Sequence, residues 1–246
     1  LVLRDVSENI ELDKLREEFV SIASHQLRTP LTAIRWLLEV LIRGEGESKI
    51  SMDGKHKDTL HQAYARTLSM SELVSSLLAL SRVDAQKISA KLAPISIPEM
   101  FEKTKLNLGS AAERKKVALN FVCDITQKIQ SDEVIFLQVL INIVSNAIKY
   151  SRDGTSVDVH AYAKDKLMLV DVTDHGIGIP PDQQASIFKK FFRAKNALSF
   201  TPEGTGIGLY MVKSFAQLLG GDVTFISTEN VGTTFTITLP LQYANA

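Results

Sequence analysis

A helical pattern near the start of the chain constrains its fold more than any other sequence feature. Apolar residues recur there at spacings of three and four, which is the period of one face of an α-helix. They are Val20, Ala23, Leu27, Leu31, Ile34, Leu38 and Leu41. At about 100° per residue, His25 lies roughly 200° from both Ala23 and Leu27, so we expect its imidazole to face solvent. Pro30 cannot donate a hydrogen bond to the carbonyl of Gln26 and its ring crowds that carbonyl, so the helix is predicted to be kinked one turn after the histidine.

Two further helical patterns flank this one. Upstream, Leu12, Leu15, Phe19 and Ile22 repeat at three and four, which is typical of a coiled-coil seam. Downstream, the glycines and charges of residues 44–48 predict a hairpin connection, after which the core positions keep a heptad step. Those positions are Leu60, Ala63, Thr67, Met70, Val74 and Leu77. Because two such helices cannot bury a continuous seam alone, we expect two copies to form a four-helix bundle; the alternative is a monomeric helical hairpin packed on the rest of the chain.

The composition is that of an ordinary folded protein and argues against several classes. The chain of 246 residues suggests about two domains, and 45% of its residues are apolar. Lys plus Arg and Asp plus Glu both number 28, so no charge excess points to nucleic acid or to an anionic membrane. There is no run of about eighteen apolar residues, so we expect no membrane contact by this chain. Cys123, the single cysteine, is predicted to be an inert buried thiol in a reducing, cytoplasmic setting.

From about residue 92 to residue 241, strand patterns alternate with helical ones, which predicts a sheet with helices on one face. Strands are predicted at Ile95 to Ile97, Val117 to Val122, Val157 to Tyr162, Leu167 to Thr173 and Phe235 to Leu239. Helices are predicted from Glu99 to Arg114, from Asp132 to Tyr150 and from the glycines at 204–208 to Leu219.

The helix from Asp132 to Tyr150 carries three polar side chains away from its apolar stripe. Asn142, Asn146 and Lys149 fall at i, i+4 and i+7 and therefore share one face. An amide oxygen is a ligand suited to Mg²⁺, and a lysine ammonium suits phosphate. The same pattern is equally typical of a solvated helix face.

Two glycine-rich segments follow this helix. In Asp174-His175-Gly176-Ile177-Gly178, a carboxylate after a buried strand is able to accept a hydrogen bond from an exocyclic amine, and the glycines let backbone approach a ligand. Gly204-Thr205-Gly206-Ile207-Gly208-Leu209 opens a helix, which places free N–H groups and a positive helix terminus beside an anion. The second segment is not a P-loop, because no Gly-Lys-Ser/Thr ends it.

The histidine segment resembles the phosphoacceptor box of sensor histidine kinases. Residues 24–31 match seven of the eight residues of its usual form, Ser-His-Glu-Leu-Arg-Thr-Pro-Leu, and Gln26 replaces the usual acidic residue. The resemblance implies that His25 accepts the γ-phosphoryl group of ATP and passes it to an aspartate of a response regulator receiver domain, and that the helical domain forms a homodimer. Thr29 would position a water molecule in a member that also dephosphorylates its regulator.

The downstream motifs are similar to the N, G1, G2 and F boxes of the ATPase fold that gyrase, the heat-shock chaperone, mismatch-repair ATPases and histidine kinases share. By this likeness Asn146 holds Mg²⁺, Asp174 recognises the adenine amino group, and Lys149 with the glycines at 204, 206 and 208 holds the phosphates of ATP. The full set implied for the nucleotide is Asn142, Asn146, Lys149, Tyr150, Asp174, Gly176, Gly178, Arg193, Gly204, Thr205, Gly206, Gly208 and Leu209, with Tyr150 lining the adenine pocket. Residues 193–205 look like the ATP lid, and their low apolar content predicts disorder without nucleotide, while His175 is expected to point away from the nucleotide.

The resemblance divides the chain into three parts. Residues 1–11 look like the end of a PAS-like sensor domain that lies upstream, with the start of a signalling helix. Residues 12–90 would be an α-helical hairpin for dimerisation and histidine phosphotransfer, and residues 91–246 an α/β two-layer sandwich that binds ATP. The expected location is cytoplasmic, either as a separate protein or as the cytosolic part of a membrane-bound receptor.

Two other activities stay open at this point. One is a phosphatase-biased or slow kinase with the same fold. The other is an ATPase switch of the gyrase type, which would use nucleotide only to change the shape of a dimer and would have no role for His25.

Overall fold

The computed structural model describes residues 89–201 and 204–242 continuously, and residues 31–39 with scattered helical positions before residue 75: residues 27, 41, 59, 60, 63, 64, 67, 70 and 74. His25, Gln26, Thr29 and Pro30 lie outside the described residues, as do the predicted kink and the coiled-coil seam. The chain divides into two compact units, Leu1–Ile88 and Ser89–Ala246.

The described part of the first unit is helical, in agreement with the predicted pattern. Leu31, Thr67 and Val74 are buried, with 3–6% of their surface exposed. Several other apolar side chains of this unit remain largely exposed in a single copy: Leu27, Ile34, Trp36, Leu37, Leu41 and Met70. The helical stripe therefore has buried members and members that one chain does not cover.

The second unit is a mixed sheet with helices on one face. Its elements are β1 Ala93–Ile95, α1 Ile97–Arg114, β2 Ala118–Cys123, β3 Ile129–Ser131, α2 Glu133–Tyr150, β4 Ser156–Lys164, β5 Leu167–Asp174, a 3₁₀ helix Pro181–Ser186, α3 Lys195–Phe200, α4 Gly208–Leu218, β6 Asp222–Thr228 and β7 Gly232–Pro240. The main sheet has the order β2-β4-β5-β7-β6, with β2 parallel to β4 and the other neighbours antiparallel. Strands β1 and β3 form a separate antiparallel pair. This is the predicted two-layer α/β sandwich.

Helix α2 is the centre of the core. Phe136, Leu140, Ile143 and Val144 are fully buried, and the helix contacts α1, α4 and the sheet. Each such side chain stabilises the fold by about 1.5–3 kcal/mol when it leaves water. Within the described part of the chain, α2 is also the one helix long and apolar enough to cross a membrane by length and composition. Its burial against protein identifies it as a core helix.

A side-chain cap fixes where α1 begins. Ser96 precedes α1 and accepts a hydrogen bond from the N–H of Glu99, and Pro98 lies in the first turn of that helix. The first strand therefore ends at Ile95, two residues before its predicted end, because the chain from Ile97 onward is already helical.

Strand β6 lies at one edge of the main sheet and contacts two side chains there. The ammonium of Lys213 donates to the carbonyl of Val223 at 3.0 Å, and the amide of Gln184 donates to the carbonyl of Ser227 at 3.1 Å. Lys213 also lies 5.2 Å from the ring centroid of Phe188. At the opposite edge, on β2, burial raises the pKa of the half-buried Cys123 thiol, which fits an inert cysteine.

Candidate nucleotide site

The carboxyl half of α2 faces the start of α4. The side-chain amide nitrogen of Asn142 donates to the carbonyl of Gln138 at 2.9 Å, so the other atom of this amide, Oδ1, is the one left for other partners. A methyl group added at Gly208 would lie 3.3 Å from Asn142 Oδ1 and 4.0 Å from the amide nitrogen of Asn146. The missing side chain of Gly208 therefore allows Asn142 to approach the first turn of α4, and the amide of Asn146 lies nearby.

The first turn of α4 presents backbone N–H groups at this point. Ile207 is the N-cap residue and makes no side-chain capping bond; instead its own N–H donates to the hydroxyl of Thr205 at 3.3 Å. The N–H groups of Gly208 and Leu209 belong to the first helical turn and so have no intrahelical acceptor. Such a turn carries partial positive charge and suits an anion.

Two cations flank the loop that leads into α4. A methyl group added at Gly204 would lie 3.0 Å from the ammonium of Lys149 and 3.5 Å from the guanidinium carbon of Arg193. Arg193 also donates to the carbonyls of Gly204, Ala197 and Thr201. Arg193, predicted to contact nucleotide, is thus bonded here to the backbone of the predicted lid.

Asp174 ends strand β5 as a buried carboxyl group. Its Oδ1 accepts a hydrogen bond from the N–H of Gly176 at 2.9 Å, and only 5% of its surface is exposed. Burial raises the pKa of Asp174 to about 6, although hydrogen bonds from the N–H groups of Gly176 and Thr233 and the charges of His175 and Lys115 oppose this rise. The group is therefore largely ionised at pH 7 and remains a hydrogen-bond acceptor.

The glycines of the G1 segment approach protein backbone. A methyl group at Gly176 would lie 2.1 Å from the carbonyl oxygen of Tyr150, and one at Gly178 would lie 2.1 Å from the carbonyl oxygen of Thr228. The sequence suggested that these glycines let backbone approach a ligand. The structure shows that they allow the loop after β5 to pack on the end of α2 and on β6, and their contact with a ligand stays a prediction. A methyl group added at Gly206 would likewise lie 2.7 Å from the carbonyl carbon of Phe191.

Lys115, a residue that the sequence did not single out, connects several parts of the site. Its ammonium donates to the carbonyl of Lys149 and lies 4.9 Å from the ring centroid of Phe200. Burial lowers the pKa of Lys115, while the charges of Asp153 and Asp174 favour its protonated form. Because Lys115 follows the last turn of α1, far from any glycine motif, no sequence signal marked it.

The predicted lid contains a short helix, α3, at residues 195–200. The low apolar content of residues 193–205 predicts disorder without nucleotide, whereas residues 195–200 of this segment are helical here. Asn196 donates to the carbonyl of Gly178 at 2.9 Å, and the N–H of Lys195 donates to the side chain of Gln183 at 2.8 Å. These contacts with neighbouring loops, added to those of Arg193, give the segment a helical conformation that its composition does not predict.

Tyr150 and His175 are the remaining residues for which the sequence predicted a position. Tyr150 ends α2, and the ammonium of Lys149 lies 5.6 Å from its ring centroid. His175 has a half-exposed side chain, and its Nε2 lies 3.4 Å from Oδ2 of Asp158 on β4. The neighbouring Asp174 has a different partner, the N–H of Gly176.

Comparisons with known proteins agree with this architecture. The family model described as "Histidine kinase-, DNA gyrase B-, and HSP90-like ATPase" matches residues 131–243, and that described as "His Kinase A (phospho-acceptor) domain" matches residues 15–86. The chain belongs to the sensor histidine kinase family. The family, predicted from the motifs, is thereby confirmed, as is the fold class of a helical domain followed by an α/β sandwich.

Two curated relatives show how much of a kinase this chain represents. Sensor histidine kinase WalK of Bacillus subtilis is 35% identical over 248 residues, which cover 98% of this chain and 39% of WalK. Drug sensory protein A of Synechocystis is 32% identical, with 96% of this chain and 36% of the relative covered. The chain thus spans about two fifths of the length of these relatives.

Solved structures of histidine kinases share the fold. The full-length ShkA kinase in complex with AMPPNP superimposes with a TM-score of 0.74 at 25% identity, over 93% of this chain and 47% of ShkA. The histidine kinase AdeS of Acinetobacter baumannii gives a TM-score of 0.63 at 23% identity, over 88% of this chain and 98% of AdeS.

Proposed function

We propose that this histidine kinase chain binds ATP in its second unit, transfers the γ-phosphoryl group to His25 and then passes it to an aspartate of a response regulator receiver domain. The observation that carries the proposal is the convergence at Gly208. There two side-chain amides of α2 meet the first turn of α4, and the cations of Lys149 and Arg193 lie beside the adjoining loop at Gly204. That combination of N–H donors, amide oxygens and cations suits a polyphosphate with its metal ion.

The residues present fit the nucleotide and its Mg²⁺. The Asn142 amide has one orientation that satisfies its donor, which leaves its oxygen as a hard ligand beside Asn146. Asn146 and Asn142 would hold Mg²⁺, which when bound neutralises charge on the phosphates. The first-turn N–H groups of α4 and the ammonium of Lys149 would bind phosphate oxygens. ShkA, the structural relative of this chain, was solved with the ATP analogue AMPPNP, which supports ATP as the nucleotide.

Asp174 and Tyr150 would bind the base. The buried carboxylate of Asp174 has an acceptor oxygen for the exocyclic amine of adenine, and the ring of Tyr150 would line the same pocket. A carboxylate in this position discriminates for a base that carries an amine, because a carbonyl there would face another acceptor with no proton between them.

Phosphoryl transfer needs the histidine and few other groups. One imidazole nitrogen of His25 forms a bond with the γ-phosphorus while the bond to the bridging oxygen breaks and ADP leaves. The proton on the other ring nitrogen is then lost. In the second reaction an aspartate oxygen of the regulator forms the new bond to phosphorus and His25 is regenerated. Gln26 is able to accept a hydrogen bond from the ring N–H but has no basicity with which to remove the proton.

Two copies of the chain would provide the helical bundle. In a single copy, Leu27, Ile34 and Leu41 are spaced by seven residues and are each about half exposed, at 46–47%. A homodimer would cover this stripe, in line with the predicted four-helix bundle. An upstream sensor domain ending near residue 11 and a cytoplasmic location, alone or behind a membrane anchor, complete the proposal.

A slow or phosphatase-biased kinase is the second candidate, and Gln26 is the observation that favours it. The usual acidic neighbour of the phosphorylated histidine is missing, whereas Thr29, which would position water for dephosphorylation, is present. The gyrase-type switch is less well supported, because the match to a phosphoacceptor domain over residues 15–86 gives the first unit a chemical role.

The deciding experiment is incubation with [γ-³²P]ATP followed by acid and base treatment of the labelled protein. Wild-type protein is expected to carry an acid-labile, base-stable label, and His25→Gln is expected to carry none. Because nucleotide would bind in the other unit, the variant should keep its ATP affinity within a few fold in calorimetry. Acid-labile label on His25→Gln would refute the assignment of the acceptor, and free phosphate without labelled wild-type protein would favour the ATPase switch.

A further inference from the structure

The segment that joins the two units is attached to the start of α2. Strand β1 pairs with β3, so that Ala93 lies opposite Ser131 and Ile95 opposite Ile129. Strand β3 leads through Asp132 directly into α2, the helix that carries the Asn and Lys side chains of the candidate site. The linker between the units is thus connected to the N-terminal end of α2, the end opposite to the candidate nucleotide site.

The carboxylate of Asp132 closes this attachment. Its Oδ1 accepts the N–H of Ile135 at 3.0 Å and so caps α2, and its Oδ2 accepts the N–H of Lys91 at 2.7 Å. Only 7% of Asp132 is exposed, whereas Lys91 and Leu92 in the linker are exposed. One buried side chain therefore binds the linker backbone and the helix terminus at the same time.

Capping alone does not require this arrangement. Ser96 caps α1 with a single hydroxyl oxygen, and Ser, Thr or Asn would cap α2 about as well as Asp. A carboxylate differs from these in having two acceptor oxygens and no donor. At position 132 the second oxygen has a specific partner, the Lys91 N–H, which belongs to the linker rather than to the helix.

We propose that Asp132 is a positioning residue for phosphoryl transfer, which acts by fixing the point where the linker leaves the ATP-binding unit. This inference rests on the proposed function, because His25 and the nucleotide lie on opposite sides of the linker in the sequence. Loss of the bond to Lys91 lets the linker take more directions before β1, and fewer of them bring the nucleotide to the histidine. The nucleotide site itself stays intact, since Asn146 lies fourteen residues further along α2, about 21 Å away at 1.5 Å per residue.

Two variants break the bond from opposite sides. Asp132→Asn can keep an oxygen for the Ile135 N–H, but its amide nitrogen then meets the Lys91 N–H as a second donor. Lys91→Pro removes the linker N–H and leaves the carboxylate and the cap in place. Lys91→Ala, which keeps the N–H, is the matched control, and Ser96→Ala controls for the loss of a helix cap that does not touch the linker.

The measurements are the rate of His25 labelling at saturating ATP, ATP affinity by calorimetry and the melting temperature, all on the full chain. Asp132→Asn and Lys91→Pro are each expected to slow labelling about fivefold, less than the ~10²-fold that a fixed 1 Å misplacement can cost because only the range of linker directions widens, with ATP affinity within about twofold of wild type. The double variant should be no slower than the slower single variant, because both remove one bond. Lys91→Ala should match wild type.

Several results would overturn the inference. Equal labelling rates in all variants, a loss confined to ATP affinity, additive losses in the double variant, or the same slowing by Ser96→Ala would each assign Asp132 a purely structural role. Hydrogen exchange of the Lys91 amide tests the bond without any activity: protection in wild type and its loss in Asp132→Asn are expected, and rapid exchange in wild type would remove the premise. Absence of label on wild-type protein would instead refute the proposed function, and the positioning role with it.

Discussion

Asp174 shows at the scale of one residue how a binding group is kept at a cost to folding. Its pKa is raised from 3.8 to about 6 by burial, so the folded state binds a proton more readily than the unfolded chain does. With respect to this group, the free energy of unfolding is highest below pH 3.8, where the carboxyl group is protonated in both states, and it falls as the pH rises through 6. The two pKa values differ by about two units, so ionisation of Asp174 lowers the free energy of unfolding by about 3 kcal/mol at neutral pH.

Asp174→Asn should therefore separate stability from binding. The Asn side chain keeps an oxygen for the Gly176 N–H and removes the buried charge, so the variant should melt at a higher temperature than wild type at pH 8, with a smaller difference at pH 5. ATP affinity should fall at least about tenfold, since a good hydrogen bond to a charged acceptor is lost. Melting curves at the two pH values and calorimetric titration check both outcomes. A melting difference that does not change with pH would contradict the raised pKa.

At Gln26 the informative substitution replaces an amide with a carboxylate. This position lies outside the described residues. An acidic neighbour would accept the imidazole proton during transfer, a contribution of typically ~10²-fold that an amide cannot supply. We predict that Gln26→Glu raises the labelling rate at saturating ATP with little change in ATP affinity. Single-turnover labelling across pH 6 to 9 compares the two proteins. Equal rates at every pH would mean that water or a phosphate oxygen takes the proton.

At the scale of elements, the start of α4 is shaped by two glycines with different tasks. Gly206 has φ +70°, and a methyl group there would lie 2.7 Å from the backbone of Phe191. Gly208 is the first residue of α4, has no left-handed conformation, and faces Asn142 Oδ1. The first glycine is needed for the loop to pack, and the second keeps space open between α2 and α4.

The two glycines should thus respond differently to alanine. Gly206→Ala is expected to lower the melting temperature clearly, because both the backbone conformation and the packing oppose a side chain. Gly208→Ala should leave it nearly unchanged, since alanine favours a helix by up to about 1 kcal/mol, yet reduce Mg²⁺-dependent ATP affinity about tenfold or more. Thermal unfolding and calorimetry with and without Mg²⁺ distinguish them. Normal ATP binding by Gly208→Ala would argue against a site at this helix junction.

Strict alternation made β4 and β7 predictable from the sequence, an apolar run did so for β5, and a strong apolar stripe did the same for α2. Strand β6 was missed because its pattern reverses: Ile226 is exposed while Ser227 turns inward, where its hydroxyl accepts the N–H of Ile179 at 2.9 Å. Helix α3 has six residues, too few to be stable from local propensity, and depends on contacts made by Asn196. Such tertiary contacts leave no periodic signal.

The candidate site was predictable in its members more than in their tasks. Two amides and a lysine on an apolar helix drew attention to Asn142, Asn146 and Lys149, and the order of the downstream motifs then indicated a nucleotide site. The spacing of the glycines gave no means to tell Gly208, which faces Asn142, from Gly176, which faces the carbonyl of Tyr150. That distinction depends on which chain segment passes each glycine, and only the folded structure supplies it.

At the scale of the whole molecule, the exposed stripe on the first unit predicts self-association. Ile34→Glu should weaken the dimer, because in a bundle the charge would be buried in the seam, whereas Arg35→Glu on the adjacent exposed position should not. Light scattering at tens of micromolar measures the mass of wild type and of both variants. A monomeric wild type, or an unaltered dimer in Ile34→Glu, would contradict a seam through this residue.

Lys213 and Gln184, which donate to carbonyls of the edge strand β6, oppose the addition of another strand to this edge. A strand that added to this edge would have to compete with Lys213 for the Val223 carbonyl and with Gln184 for that of Ser227, and it would bring its own N–H groups against an ammonium that already pairs with Asp222. Sheet-to-sheet growth between neighbouring copies is therefore disfavoured along this edge. Copies of this unit can in this way be crowded at high concentration without polymerising along this edge.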